Sequence, residues 1–173
     1  MTEEPGQRGF FEKAAAFPMP AGPFLPHAPP MLCLDRLICV SETAAEAEVV
    51  LAPGHILLHE GLLCDAGHVE LAAQTAGAMK GYMKSCAEGD AAGSAKTSPG
   101  LGFLAAAQDF SVMGKARAGD TLRVRVSLRA EVAGVRLLEA EIRRLPAGAP
   151  PEILARGKLK VVVPEDIPGI SAG

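Results

Sequence analysis

The chain has 173 residues, which is enough for one domain with a hydrophobic core and too few for two. Its formal net charge of -3 and its pI near 5.8 argue against a general nucleic-acid-binding protein, which would need a concentrated basic surface. We find neither a signal peptide nor a run of about 18 apolar residues, and we therefore predict a cytoplasmic protein that does not enter a membrane. The four cysteines form no Cys-x-x-Cys pair, which is typical of free thiols.

Proline and glycine are frequent at the start of the chain. We interpret residues 1–22 as a flexible arm with one short possible helix over residues 10–16. Residues 24–30 contain three prolines and are predicted to be extended, because proline is excluded from the interior of helices and central strands. The folded domain predicted from the sequence spans residues 23–163, and residues 164–173 are predicted to be a C-terminal tail.

Two strands and one helix are predicted for the first half of the domain. Residues 31–40 and 46–51 have strand patterns, with a turn between them. Residues 55–64 are predicted to be an irregular loop. Residues 64–79 are predicted to form a helix, with a tail that continues to Lys84. Small and apolar residues occupy most positions of this helix on almost every side, which is typical of a buried helix.

Four further strands follow a loop at residues 87–99 that is rich in glycine, serine and alanine. The second of these strands has the clearest alternation, since leucine and valine face one way and arginine mostly the other. Because the connections are short, we predict antiparallel pairing and an α+β fold in which one sheet wraps around the central helix. The four strands are predicted at residues 101–113, 121–133, 135–145 and 153–163.

The central helix carries a carboxylate and a carboxamide on one face. Glu70 and Gln74 are four positions apart, so their side chains lie one above the other. A buried and unpaired carboxylate is strongly disfavoured, so Glu70 needs either a partner or a chemical function. Two interpretations stay open for Glu70: a partly solvated acid stabilised by the helix dipole, or a catalytic group. Gln74 is expected to bond buried backbone or to hold Glu70.

Three motifs occur in the chain in a fixed order. Residues 25–36 read Leu-Pro-His-Ala-Pro-Pro-Met-Leu-Cys-Leu-Asp-Arg, residues 69–77 read Val-Glu-Leu-Ala-Ala-Gln-Thr-Ala-Gly, and residues 110–120 end in Ala-Gly-Asp before an alternating strand. They resemble the Leu-Pro-His-Arg-x-Pro and Asp-Arg opening, the Leu-Glu-Ala-Met-Ala-Gln-Ala-x-Gly helix and the Phe-x-x-x-Val-x-Pro-Gly-Asp segment of the 3-hydroxyacyl-acyl-carrier-protein dehydratases of fatty acid synthesis. The resemblance covers residues 24–163.

This resemblance implies a hot-dog fold, in which an antiparallel sheet wraps around a central helix and two subunits join their sheets. It implies a homodimer or a higher homo-oligomer, with an active site at the subunit interface where a loop histidine of one subunit meets the helix acid of the other. The implied substrate is an acyl thioester on the phosphopantetheine of an acyl carrier protein, or on coenzyme A. The resemblance implies neither a metal nor a redox cofactor.

The histidine is the point at which the chain departs from the family. Dehydration of a 3-hydroxyacyl thioester needs a base for the C2 proton and an acid for the departing hydroxyl, and the resemblance gives these tasks to Glu70 and a loop histidine. The family has Gly-His-Phe-Pro-Gly, with the histidine fourteen positions before the acid. Here His55 lies fifteen positions before Glu70 and is followed by Ile56 and Leu57. His55 is the candidate if the loop has a one-residue insertion, His59 is the alternative, and a structural or exposed histidine is the third possibility.

Two further residues are candidates for substrate binding. Gln74 follows Glu70 on the helix, and His27 lies in the proline-rich stretch; each also fits a structural hydrogen-bonding role. His68 is only two positions from Glu70 and is therefore expected to face another way.

Three functions stay open. The first is a dehydratase that uses Glu70 with His55 or His59. The second is a thioester hydrolase in which the helix carboxylate activates water, and the third is a non-catalytic protein that binds acyl groups or the carrier. The divergent loop indicates a specialised pathway such as polyene or polyketide synthesis. Basic residues that would suit an acidic carrier protein, unless they belong to a solvated sheet face, are Lys80, Lys84, Lys115, Arg117, Arg123, Arg125 and Arg129.

Overall fold

The structure is a computed structural model that describes residues 17–89 and 102–164. The central helix, α1, spans Asp65–Ala87, and a short 3-10 helix spans Gly22–Phe24. The predicted helix at residues 10–16, most of the predicted loop at residues 87–99 and all but the first residue of the predicted tail lie outside the described residues. The strands are β1 (Met19–Pro20), β2 (Arg36–Val40), β3 (Ala44–Val50), β4 (Leu58–His59), β5 (Leu62–Leu63), β6 (Phe103–Val112), β7 (Thr121–Val132), β8 (Val135–Arg144) and β9 (Glu152–Val162).

Seven of these strands form one sheet in the order β1-β2-β3-β7-β8-β9-β6. Every neighbouring pair in this sheet is antiparallel. Although β6 precedes β7 in sequence, it pairs with β9 and therefore forms the far edge of the sheet. One helix packed against a large antiparallel sheet confirms the predicted α+β architecture. In the described part of the chain, no helix is long and apolar enough to cross a membrane.

Helix α1 is buried along most of its length, as its composition predicts. It begins after Cys64 with Asp65 in its first turn, where a carboxylate interacts favourably with the helix dipole, and Lys84 lies in its last turn. Fully burying one leucine side chain contributes about 1.5–3 kcal/mol, so this face anchors the helix to the sheet. The buried residues of α1 are Gly67, His68, Leu71, Ala72, Gln74, Thr75, Ala76, Ala78, Met79, Gly81, Tyr82 and Ser85.

The proline-rich stretch lies against the C-terminal half of α1. A Cβ atom at Gly81 would lie 2.1 Å from the carbonyl oxygen of Phe24, so only glycine allows this approach. A Cβ atom at Gly77 would lie 3.2 Å from Leu25 Cδ2. The Phe24 ring also packs against the Tyr82 ring, with centroids 5.4 Å apart. The chain before β2 therefore follows α1 closely.

The first predicted strand is shorter than its apolar pattern indicates. Strand β2 begins at Arg36, and residues 31–35 belong to a turn and an extended segment. The Met31 N–H bonds to the Ala28 carbonyl, and the Cys33 N–H is used by the Gln74 side chain, so neither can join a strand ladder. The apolar pattern of residues 31–35 predicts a strand, because a local pattern does not show that these residues pack against α1 instead of joining the sheet.

The predicted irregular loop at residues 55–64 contains a small hairpin made of β4 and β5. Glu60 and Gly61 form its two-residue turn with φ values of 50° and 76°, which is typical of a type I′ turn. The hairpin is held to the loop before β7 by bonds from Leu63 N to Ala116 O and from Ala118 N to Gly61 O, each 2.9 Å long. Strands of two residues are too short for periodicity to reveal.

Candidate functional site

Glu70 and Gln74 form the centre of the candidate site. The Gln74 Nε2 atom donates one hydrogen bond to Glu70 Oε1 at 2.7 Å and another to the Met31 carbonyl at 2.8 Å. Its Oε1 atom accepts a hydrogen bond from Cys33 N at 2.9 Å. Gln74 is only 2% exposed, and both of its N–H groups are used. The carboxamide therefore has one fixed orientation, and the predicted contact between Gln74 and Glu70 is present.

The bond from Gln74 makes the two oxygens of Glu70 unequal. Oε1 must accept from Gln74, and the carbonyl oxygen of a protonated carboxyl is its stronger acceptor. A proton on Glu70 is therefore favoured on Oε2. Since the Glu70 side chain is only half-buried, this carboxyl combines a fixed position with access from outside. Such a group can donate a proton or accept one.

Cys33 forms part of the wall beside this pair. Burial raises the pKa of the Cys33 thiol, the charge of Glu70 raises it further, and the hydrogen bond with Gln74 opposes them. The thiol donates weakly to the Met31 carbonyl, with Sγ and oxygen 3.4 Å apart. Cys33 therefore stays a neutral thiol, which makes it a poor nucleophile.

The two loop histidines lie in the segment before α1. His55 is half-buried, and its Nδ1 atom accepts a hydrogen bond from Leu57 N at 3.3 Å, which places the proton of the neutral ring on Nε2. His59 is exposed on β4. In the described part of the chain, neither is hydrogen-bonded to Glu70. Their catalytic roles stay predictions, and His55 would need the other tautomer to act as a base through Nε2.

His27 lies on the path between two contacts with α1. Two positions before it, Leu25 packs at Gly77, and four positions after it, Met31 is bonded to Gln74. The His27 ring is half-buried, and its Nδ1 atom is buried with no hydrogen-bond partner among the described residues. The structure therefore brings the segment that carries His27 to the Glu70–Gln74 pair.

His68 points away from this site, as its spacing predicts. It is fully buried, and its Nδ1 atom lies 3.2 Å from the Cys64 carbonyl. Burial lowers the pKa of His68, while the Cys64 carbonyl and the charge of Asp65 oppose the shift. His68 is therefore a neutral core residue.

The arginine row of β7 is paired with acids on neighbouring strands. Arg123 Nη2 lies 2.8 Å from Glu48 Oε2, and Arg125 Nη1 lies 3.1 Å from Glu46 Oε1. Arg129 is paired with Glu139 in the same way. These pairs favour the interpretation of a solvated charged sheet face over that of a basic docking surface.

Among residues 17–89 and 102–164, no group of three or more His, Cys, Asp or Glu side chains is arranged to hold a metal ion.

The contacts of Met31 and Cys33 with Gln74 were not predicted from the sequence. Both residues bond Gln74 through backbone groups, and every residue type carries these groups.

Comparisons with solved structures identify the fold. The dehydratase heterocomplex ApeI:P from Xenorhabdus doucetiae matches with a TM-score of 0.71 and 22% identity, over 84% of this chain and 91% of that chain. The E. coli PaaI protein from the phenylacetic acid degradation operon matches with a TM-score of 0.53 and 15% identity, over 73% and 77% of the two chains. An acyl-CoA hydrolase mutant from Staphylococcus aureus has a TM-score of 0.52 and 13% identity, over 71% and 67%. The hot-dog fold is therefore confirmed.

The family follows from sequence. A search of curated proteins finds no match. The profile of the ApeP-like family, described as ApeP dehydratase, matches residues 19–171, which include strands β1 to β9, α1 and the Glu70–Gln74 pair. The chain therefore belongs to the ApeP-like dehydratase family.

Proposed function

We propose that this chain dehydrates a 3-hydroxyacyl thioester carried on the phosphopantetheine of an acyl carrier protein. The observation that carries the proposal is the Glu70 carboxyl, which is half-buried, fixed by Gln74 and located on the central helix of a dehydratase-family chain. Elimination of water from such a substrate requires proton transfer and no net oxidation or reduction. We therefore propose a reaction without a metal or a redox cofactor.

In the proposed reaction a base removes the proton from C2 of the acyl group. The C2–H electron pair becomes the second bond between C2 and C3, while the C3–O bond breaks. The proton on Glu70 Oε2 is transferred to the departing hydroxyl, which leaves as water. Glu70 becomes a carboxylate, and the Gln74 N–H that already faces Oε1 stabilises its negative charge.

Hydrolysis of an acyl thioester is the second candidate function. The fold neighbours include an acyl-CoA hydrolase, and a hypothetical thioesterase from Streptococcus pneumoniae whose structure contains coenzyme A. A carboxylate held as Glu70 is held can also activate water, and this needs no histidine. A non-catalytic protein that binds acyl groups or the carrier is the third candidate.

One assay separates these functions. The chain is incubated with a 3-hydroxyacyl thioester on carrier protein, and in parallel on coenzyme A, while enoyl product and free thiol are both measured. We expect enoyl product with the carrier substrate and a decrease of about 10²- to 10⁴-fold in rate for Glu70→Gln. Glu42→Gln, an exposed acid in the turn between β2 and β3, is the matched control and is expected to keep the wild-type rate. Thiol release without enoyl product would establish a hydrolase. If neither enoyl product nor free thiol is formed, both enzymatic functions are excluded.

We also propose that β6 pairs with β6 of a second copy of the chain. This edge strand has ten residues and no neighbour on its outer side among the described residues, whereas the opposite edge, β1, is short and contains Pro20. Large apolar residues are exposed at both ends of β6: Phe103 at 53%, Leu104 at 42% and, just beyond the other end, Met113 at 58%. Antiparallel pairing of two copies brings the apolar ends together, which supports a homodimer. A heterocomplex, as the X. doucetiae structure is described, is the alternative.

A further inference from the structure

We propose that His27 is the base that takes the C2 proton, within the same chain as Glu70. This assignment rests on the proposed dehydration. It differs from the sequence-based prediction, which places the histidine in the loop before α1.

The first argument is the path of the segment that carries His27. Leu25 packs where a Gly77 side chain would be, and the Met31 carbonyl accepts a hydrogen bond from Gln74. On a helix, Glu70, Gln74 and Gly77 share one face, and three residues advance about 4.5 Å along the axis. The Cα atom of His27 is at most about 8 Å from that of Leu25, because consecutive Cα atoms are about 3.8 Å apart. The chain is therefore held against this helix face two residues before His27 and four residues after it.

The second argument is the unsatisfied nitrogen. His27 Nδ1 is buried and has no hydrogen-bond partner among the described residues. A buried polar atom without a partner is destabilising and in native proteins needs an explanation, of which a functional role is one. The rest of the ring is only half-buried, so a substrate can reach it. A neutral imidazole has one nitrogen that accepts a proton, which is what a base requires.

The third argument is that the other three histidines fit the task less well. His55 Nδ1 already accepts a hydrogen bond from Leu57 N. His59 is exposed on the hairpin, and its partner strand β5 holds that hairpin to the loop before β7. His68 Nε2 is also buried without a partner among the described residues, but the His68 ring is fully buried, so a substrate cannot reach it, and it lies on a different side of the helix from Glu70. Of the four histidines, His27 is the one whose segment is bonded to the Glu70–Gln74 pair.

Because Nδ1 is buried, the neutral His27 ring carries its proton there and Nε2 is the bare nitrogen. In the step assigned to His27, Nε2 forms a bond to the C2 proton, and the C2–H electron pair forms the double bond. The ring becomes a cation, and Glu70, which has given its proton to the leaving hydroxyl, becomes a carboxylate. Transfer of the proton from the His27 cation to Glu70 through solvent restores both groups. The charges that develop are opposite in sign, so in one site each stabilises the other.

The experiment measures two properties of the full chain, namely enoyl formation and exchange of the C2 proton with D2O. For the exchange we use a saturated acyl carrier thioester, which has no hydroxyl to lose and therefore needs the base alone. We expect His27→Gln to reduce both rates by about 10²-fold or more. We expect Glu70→Gln to reduce enoyl formation by about 10²- to 10⁴-fold and to retain exchange. His27→Gly should regain activity when free imidazole is added, which a purely structural role would not allow.

Each outcome decides between the two proposals. Enoyl formation that persists in His27→Gln, but is lost in His55→Gln or His59→Gln, overturns the assignment of His27 and leaves dehydration standing. If the wild type exchanges the C2 proton but forms no enoyl product, and if exchange is lost in His27→Gln, dehydration is overturned. The same result supports the assignment of His27 as the base. A wild type with neither reaction overturns both. Circular dichroism and thermal unfolding of each variant identify any loss that comes from misfolding, and imidazole rescue of His27→Gly then decides.

Discussion

At Gln74 a single carboxamide joins two parts of the chain that are far apart in sequence. Its bonds to Cys33 and Met31 span 41 and 43 positions, and its bond to Glu70 spans one helical turn. Because all three bonds originate from one buried side chain, a change at Gln74 acts on the turn at residues 31–33 and on the candidate acid together. The residue is a positioning residue for Glu70 as well as part of the core.

We therefore expect Gln74→Leu to lower the free energy of unfolding by about 1–3 kcal/mol, since it leaves the buried Cys33 N–H without a partner and removes the bond to the Met31 carbonyl. Urea unfolding measures this change. Glu42→Leu is the control, because Glu42 is exposed in the turn between β2 and β3, and a change within about 0.5 kcal/mol is expected there. An equally small change in Gln74→Leu would contradict the structural role.

Among the elements, β2, β3 and β7 are joined by ion pairs on the face of the sheet that lies away from α1. Glu48, only 6% exposed, accepts hydrogen bonds from Arg36 Nε at 3.0 Å and from Arg123 Nη2 at 2.8 Å. Burial by itself would raise the pKa of Glu48, but the hydrogen bonds and charges of the two arginines outweigh it and lower the pKa. One carboxylate on β3 thus fixes the register of both neighbouring strands.

This arrangement predicts how stability depends on pH. Because the pKa of Glu48 is lower in the folded protein than its unfolded value of about 4.3, its contribution is complete above that value and is lost as the pH falls through the folded pKa. We expect Glu48→Gln to reduce the free energy of unfolding by about 2 kcal/mol at neutral pH, and by much less near pH 3. Urea unfolding from pH 7 to pH 3 measures the difference, with Glu42→Gln as the exposed control. A difference that grows on acidification would be opposite in sign to the one derived.

Across the whole molecule, the two edges of the sheet have different character. Strand β1 has two residues and includes Pro20, whereas β6 presents a long open edge with exposed apolar residues at its ends. Natural proteins avoid such an edge unless a partner covers it. We therefore expect the β6 edge to be covered by a second subunit.

For the assembly we expect Leu104→Lys to raise the dissociation constant of the homodimer at least about tenfold, which corresponds to about 1.4 kcal/mol. Sedimentation velocity over a concentration series measures it. Val132→Lys is the matched control, since Val132 is 71% exposed and lies on β7, away from the β6 edge. A wild-type chain that stays monomeric at its highest soluble concentration, and pairs only when a second dehydratase subunit is added, would replace the homodimer by a heterocomplex.

The local features of this protein could be predicted from its amino-acid sequence. The alternation in residues 121–133 predicted β7, and the small apolar residues around Glu70 predicted a buried α1. The order of strands and helix predicted an antiparallel sheet around one helix, and three motifs predicted a dehydratase-like hot-dog chain. These properties are readable because periodicity and motif spacing are set by residues close together in the chain.

The contacts between residues that are far apart in the sequence are seen in the tertiary structure alone. It showed that residues 31–33 leave the sheet to bond Gln74, that a hairpin occupies the loop before α1, and that the arginines of β7 have acidic partners on other strands. Within the described residues it also placed β6 at an open edge, next to β9. A sequence pattern indicates which face of an element is buried, but the groups it contacts depend on how separate elements pack. For the same reason the catalytic partner of Glu70 depends on which residues pack against α1, and a motif in the loop before the helix does not identify it.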